Sequence, residues 1–218
     1  MTFIKNLKFS ISKKFTKPSI SLDLTFTAVV NEYLTKELRN YKSYLEYGSG
    51  ASTVFFSKYE NLNIVAVESD AVYGNQVKIS IGNNVRTQIL HSNTGPTGLW
   101  GVPLFFKNSA STGFKYVNTP WRLLGENYEP EIILVDGRYR VACALNILVR
   151  YANKKSFTIL FDDYIGRDEY LAVSEYFKNS VQFVGDRMGV FKYNLETIDD
   201  LLLNEIKNKL KFYLNEYV

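Results

Sequence analysis

Strand-like and helical stretches alternate along most of this 218-residue chain, and that alternation restricts the possible fold more than any other feature. Ser43–Tyr47, Asn63–Val67, Val85–Leu90, Glu131–Val135 and Phe157–Phe161 read as strands. The last two are nearly unbroken apolar runs, as expected for strands covered on both faces. Ser52–Tyr59, Asp70–Ile79, Arg138–Tyr151 and Asp168–Phe177 read as the intervening helices, and Leu24–Tyr41 as a helix before the first strand. Val181–Val184 and Gly189–Tyr193 flank Gly185-Asp186-Arg187-Met188 as a hairpin, and Thr197–Asp200 opens a final amphipathic helix. Strands joined through helices pair in parallel, with helices on both faces. The pattern therefore predicts a Rossmann-like α/β fold: a three-layer α/β/α sandwich around a mostly parallel sheet, closed by an antiparallel hairpin.

Two regions break the alternation. Residues 1–23 form a basic arm carrying Lys5, Lys8, Lys13, Lys14 and Lys17. Ile4, Leu7, Ile11 and Phe15 have roughly helical spacing, so a docking segment for a membrane surface or partner is one reading, and a solvated arm is the preferred one. Residues 91–130 hold Gly95, Pro96, Gly98, Gly101, Pro103, Gly113, Pro120 and Gly125 with no sustained period, which reads as a long functional loop inserted in a domain spanning 24–218.

Composition narrows the function. The net charge of +4 is too small and dispersed to argue for nucleic-acid binding. The lone Cys143 excludes an intramolecular disulfide and falls in an apolar helical run, as a buried thiol would. No apolar stretch reaches membrane-spanning length and no secretory leader is evident, so a cytoplasmic location is expected. A small-molecule partner is expected, with a homo-oligomer left open.

The segment Tyr44-Leu45-Glu46-Tyr47-Gly48-Ser49-Gly50-Ala51-Ser52-Thr53 takes a strand into a glycine turn that opens a helix, where backbone can approach a ligand closely. A dinucleotide fingerprint wants a third glycine where Thr53 stands, and a pyrophosphate there has no use for Glu46. A carboxylate directed from the strand end into the crevice suits instead a cationic amino and sulfonium group. Glu68 ends the second strand, where it can accept hydrogen bonds from a ribose diol.

These motifs resemble those of class I S-adenosylmethionine-dependent methyltransferases, closest to a bacterial group in which Ser-Thr follows the glycine turn. Val67-Glu68-Ser69-Asp70, Val135-Asp136-Gly137-Arg138-Tyr139-Arg140 and Leu160-Phe161-Asp162-Asp163-Tyr164 share the likeness, which covers residues 24–195. The resemblance implies a seven-stranded sheet, with S-adenosylmethionine held by Glu46, Gly48, Ser49, Gly50, Ser52, Glu68 and Ser69. An adenine-contacting acid is not evident where His91, Ser92 and Asn93 follow the third strand.

Chemistry beyond the cofactor is expected from strand ends. Asp136 and Asp163 are candidate catalytic groups, with His91 as an alternative base. Asp136, Asp162 and Asp163 converge, which points to a magnesium ion such as metal-dependent sugar and catechol O-methyltransferases use; Arg138 departs from their pattern. The rival reading has Asp136 capping the next helix and the arginines paired to Asp162 or Asp163. Arg138, Arg140, Tyr164 and Trp100 are candidate acceptor contacts, and Trp100 and Trp121 either close over the site or pack the loop. The expected activity is O-methylation of a small molecule such as a sugar or glycan precursor. An NAD-dependent oxidoreductase and a non-catalytic S-adenosylmethionine-binding protein are the alternatives.

Overall fold

The computed structural model describes residues 2–104, 109–177, 181–195 and 197–216. Seven strands form one sheet: β1 Ser43–Tyr47, β2 Asn63–Glu68, β3 Thr87–His91, β4 Ile132–Val135, β5 Phe157–Phe161, β6 Val181–Val184 and β7 Met188–Tyr193. Their spatial order is β3-β2-β1-β4-β5-β7-β6. The first five are parallel, and β7 runs antiparallel to both β5 and β6. The strand order reverses between β1 and β4, leaving a crevice at their carboxyl ends, the usual ligand position in such sheets.

Helices cover both faces. On one side, Leu45, Tyr47, Ile133, Val135, Ile159 and Phe161 meet α6 (Arg140–Tyr151), α7 (Leu171–Ser174) and α8 (Asp200–Tyr213) in the larger core. Tyr44, Ile64, Ile132, Leu134 and Leu160 point the other way, toward α2 (Ala28–Glu37) and α3 (Ala51–Phe56). Period-2 alternation of each strand creates these two cores. α4 (Ala71–Ile81) packs over Ala66 and Ile89 through Val77. Cys143 is fully buried in α6, as its apolar setting predicts.

Two expectations fail. The segment 91–130 is not one irregular loop, because Ser109–Leu124 forms a helix, α5; residues 105–108 lie outside the described part. Gly113 and Pro120 disguise it in the sequence, yet Gly113 is needed there: a Cβ would come within 2.4 Å of the Leu214 carbonyl oxygen. Asn118 and Thr119, beside Pro120, donate side-chain bonds back to Phe114 and Lys115 carbonyls. The arm is not wholly solvated either, for one face of it docks on the fold. Thr2–Ser12 is a helix, α1; its inward residues Asn6 and Ser10, with Lys13 just beyond it, are buried polar groups, and Asn6 and Lys13 have partners across the fold.

Candidate active site

A cavity of about 1100 Å³ opens at the carboxyl ends of β1, β2, β4 and β5. Gly48, Ser49, Gly50, Ser52, Glu68 and Ser69 all border it. The two glycines do different work. Gly48 has a φ of +97°, and a Cβ there would lie 2.8–2.9 Å from backbone atoms of Asp136 and Gly137. Gly137 is the reciprocal partner, its own Cβ position being 2.8 Å from the Gly48 nitrogen. The turns after β1 and β4 thus meet backbone to backbone, a contact that needs glycine on both sides. At Gly50 a Cβ would meet only the Tyr73 hydroxyl, at 3.4 Å.

Glu68 borders the cavity while almost wholly buried. Its Oε2 accepts from the Ser49 amide (3.2 Å) and hydroxyl (2.9 Å), and its Oε1 from the Asp70 amide (2.8 Å). Burial, opposed by these hydrogen bonds, raises its pKa. Glu46 departs from expectation, for it does not border the cavity and is fully buried. Strand alternation is the reason: Leu45 and Tyr47 face one core, so Glu46 faces the other, beneath the start of α3. There it accepts hydrogen bonds from the Ser52 and Thr53 hydroxyls, while Thr53 Oγ1 accepts from the Gly50 amide at 2.9 Å. Glu46 shapes the turn from behind.

Burial pushes the Glu46 carboxyl up to about 7, against the stabilising bonds of Ser52 and Thr53. Between its unfolded value near 4.5 and about 7, the folded state then binds more protons than the unfolded state. Stability from this group is therefore full below pH 4.5 and falls as pH rises to 7, by about 3 kcal/mol. Replacing Glu46 by Gln is expected to remove that fall, seen as a flatter stability difference between pH 5 and pH 8 in urea unfolding. An unchanged pH slope would show that Glu46 ionises normally.

Across the crevice, Asp136, Arg138, Arg140 and Asp163 border the cavity. Arg140 Nη2 donates to Asp136 Oδ1 (3.1 Å), and its Nη1 to the Asp162 carbonyl (2.6 Å) while lying 3.5 Å from Asp163 Oδ2. Arg187 grips Asp162 with two bonds of 2.6 Å, and Arg167 reaches Asp163 at 3.1 Å. The carboxylates converge as expected, but three guanidinium groups hold them. This overturns the magnesium expectation for Asp136, Asp162 and Asp163: the cationic partners of these acids are arginines, and Asp162 faces away from the cavity with both oxygens bonded. Among the described residues no group of three or more His, Cys, Asp or Glu side chains is placed to hold a metal. Asp136 does not cap α6, which begins after a left-handed Tyr139; the paired-arginine half of that reading is what the structure contains. The Asp136 side chain keeps 29% exposure toward the cavity. Its deep position and then the Asp162 charge raise its pKa well above the carboxylate range, against Arg140.

Other candidates separate. His91 ends the edge strand β3 and its side chain is exposed outside the cavity. Tyr164 is buried against Phe161 and Phe191, because Asp163 with φ +54° turns the chain back onto the sheet. Trp100 borders the cavity and is 85% exposed. Trp121 packs in the core, its indole donating to the Tyr151 hydroxyl at 2.8 Å, so the packing reading holds for it. His91, Ser92 and Asn93 all lie off the cavity wall.

Several wall residues had no sequence signal. Lys13 donates to the Thr97 carbonyl and hydroxyl at 2.7 Å and pairs with Asp70, which caps α4 by accepting from the Val72 and Tyr73 amides. The pair is separated by 57 positions, so no local pattern could reveal it. Phe9 from the arm, Phe26 from the segment before α2 and Arg187 from the hairpin also join the wall.

No protein-family model matches the chain, and no curated protein does. Solved structures do. A methyltransferase-like protein from Silicibacter pomeroyi is 28% identical, with a TM-score of 0.71 over 87% of this chain and 97% of its own. An O-methyltransferase from Bacillus cereus in complex with SAH is 13% identical, with a TM-score of 0.51 over 89% of this chain and 90% of its own, a likeness of fold alone. The chain is thus similar in structure to class I S-adenosylmethionine-dependent methyltransferases. Neither neighbour points to the NAD-dependent alternative.

Proposed function

We propose that this methyltransferase-like chain transfers a methyl group from S-adenosylmethionine to an oxygen of a small polar acceptor, with a sugar or glycan precursor as the class that fits best. One observation carries the reading: the open Gly50 turn and the Glu68 carboxylate border a single cavity at the strand ends. The wall suits the cofactor. Gly50 leaves room beside the turn, and Glu68 Oε1 can exchange the long 3.4 Å bond from the Ser69 hydroxyl for one from a diol.

When bound, S-adenosylmethionine supplies an electrophilic methyl group on its sulfonium. The protein's part is to orient the acceptor and take its proton. Asp136 is the proposed base: it borders the cavity, part of its side chain is open to it, and Arg140 fixes its position. Arg138, Arg167 and Asp163 offer donors and an acceptor to a polyol. Phe9 of the arm and Phe26 just before α2, with Trp100, supply apolar cover that limits water.

Calorimetry with S-adenosylhomocysteine tests the reading directly. Binding is expected, and folded protein that fails to bind at hundreds of micromolar ligand overturns it. Glu68→Ala is expected to weaken that binding by about 1–3 kcal/mol, roughly 5- to 150-fold, through lost hydrogen bonds in a buried setting. Affinity unchanged in this variant would place the nucleoside elsewhere.

A further inference from the structure

The helix α1 is built inside out. Its polar residues Asn6 and Ser10, and Lys13 just beyond its end, turn inward, where Asn6 Oδ1 accepts from the Leu99 amide at 3.1 Å and Lys13 meets Asp70 and Thr97. Its apolar residues Ile4, Leu7 and Ile11 turn outward, and Phe15, just beyond the helix, is 84% exposed. A helix docked on a globular fold normally does the reverse. Exposed apolar side chains spaced at three, four and four positions form a stripe rather than a scatter.

The charge beside this stripe identifies what covers it. Lys5, Lys8, Lys14 and Lys17 are all exposed, and no Asp or Glu occurs before Asp23. Exposed Trp100 stands on the short turn that Asn6 holds beside the helix. An apolar stripe with lysines alongside and an indole nearby fits the boundary between lipid headgroups and acyl chains. We propose that α1 is a docking surface for an anionic lipid membrane, to which the protein binds peripherally. Because Phe9 and Lys13 also line the cavity, the element that meets the bilayer is the one that covers the site.

The test is co-sedimentation of the full chain with phosphatidylcholine vesicles, with and without phosphatidylserine. Binding is expected only with phosphatidylserine and should weaken as salt rises. Leu7→Glu with Ile11→Glu should abolish it. Lys5→Gln with Lys8→Gln should lower the partition coefficient about thirtyfold, from roughly 1 kcal/mol per lysine. All four side chains are exposed, so an unchanged circular dichroism melting curve checks folding. Wild-type protein that stays in the supernatant, or a Leu7/Ile11 variant that still binds, overturns the proposal. So does a dimer in sedimentation velocity that those substitutions dissolve without any vesicle binding, since a second copy would then cover the stripe.

Discussion

Gly48→Val is expected to cost the protein its folded stability, whereas Gly50→Val should leave the fold intact and remove S-adenosylhomocysteine binding. At Gly48 the φ of +97° already strains any side chain by about 1–3 kcal/mol, and more for a β-branched one. The added Cβ would also press on Gly137 and Asp136 backbone atoms at 2.8–2.9 Å. Backbone cannot swing aside as a side chain can, and both turns are anchored by bonds of 2.9 Å, Gly48 N to the Val67 carbonyl and Asp136 N to the Tyr47 carbonyl. At Gly50 the backbone is extended with φ 176°, a conformation open to any residue, and the new atom finds only the Tyr73 hydroxyl. Its remaining methyl groups must then compete with ligand for cavity space. Urea unfolding and calorimetry on both variants separate the effects. A Gly48→Val protein as stable as wild type would mean that the two turns do not touch, and full affinity in Gly50→Val would mean that the ligand does not lie on this turn.

The second large effect is expected at Asp162. It is fully buried, receives both bonds of the Arg187 fork, and sits beside Arg140. Removing one member of such a pair leaves buried charge uncompensated, typically 3–5 kcal/mol. Arg187 is 35% exposed and can recover some hydration, so Asp162→Ala should cost about 3 kcal/mol, near the bottom of that range. In a chain of this size that lowers the melting temperature by roughly 6–12 °C. Asp162→Leu combined with Arg187→Leu should recover part of the loss, because the pair is then removed together. A single-variant loss below about 1 kcal/mol would show that the ion pair is idle in solution.

The same residue illustrates how far the sequence could be followed. Asp136, Asp162 and Asp163 could be placed at neighbouring strand ends by counting, and β4 and β5 do put them there. Their partners could not. Arg187 comes from the hairpin after β6, 25 positions from Asp162, and only the antiparallel return of β7 beside β5 brings it within reach. Without that contact, three converging acids look like a metal site. Glu46 failed for a different reason. Its position at a strand end was correct, but its parity, opposite to Leu45 and Tyr47, puts it under α3.

The sequence by itself determined the sheet, its parallel pairing, the closing hairpin and the glycine turn with Glu68. These follow from local signals, namely the periods of apolar residues and the special backbone freedom of glycine. Tertiary structure alone decided which carboxylates reach the cavity, which are silenced by arginine, and that the basic arm folds over the site by its polar face. Each of those depends on groups brought together from distant positions, where burial and electrostatic pairing act on geometry that no local pattern encodes.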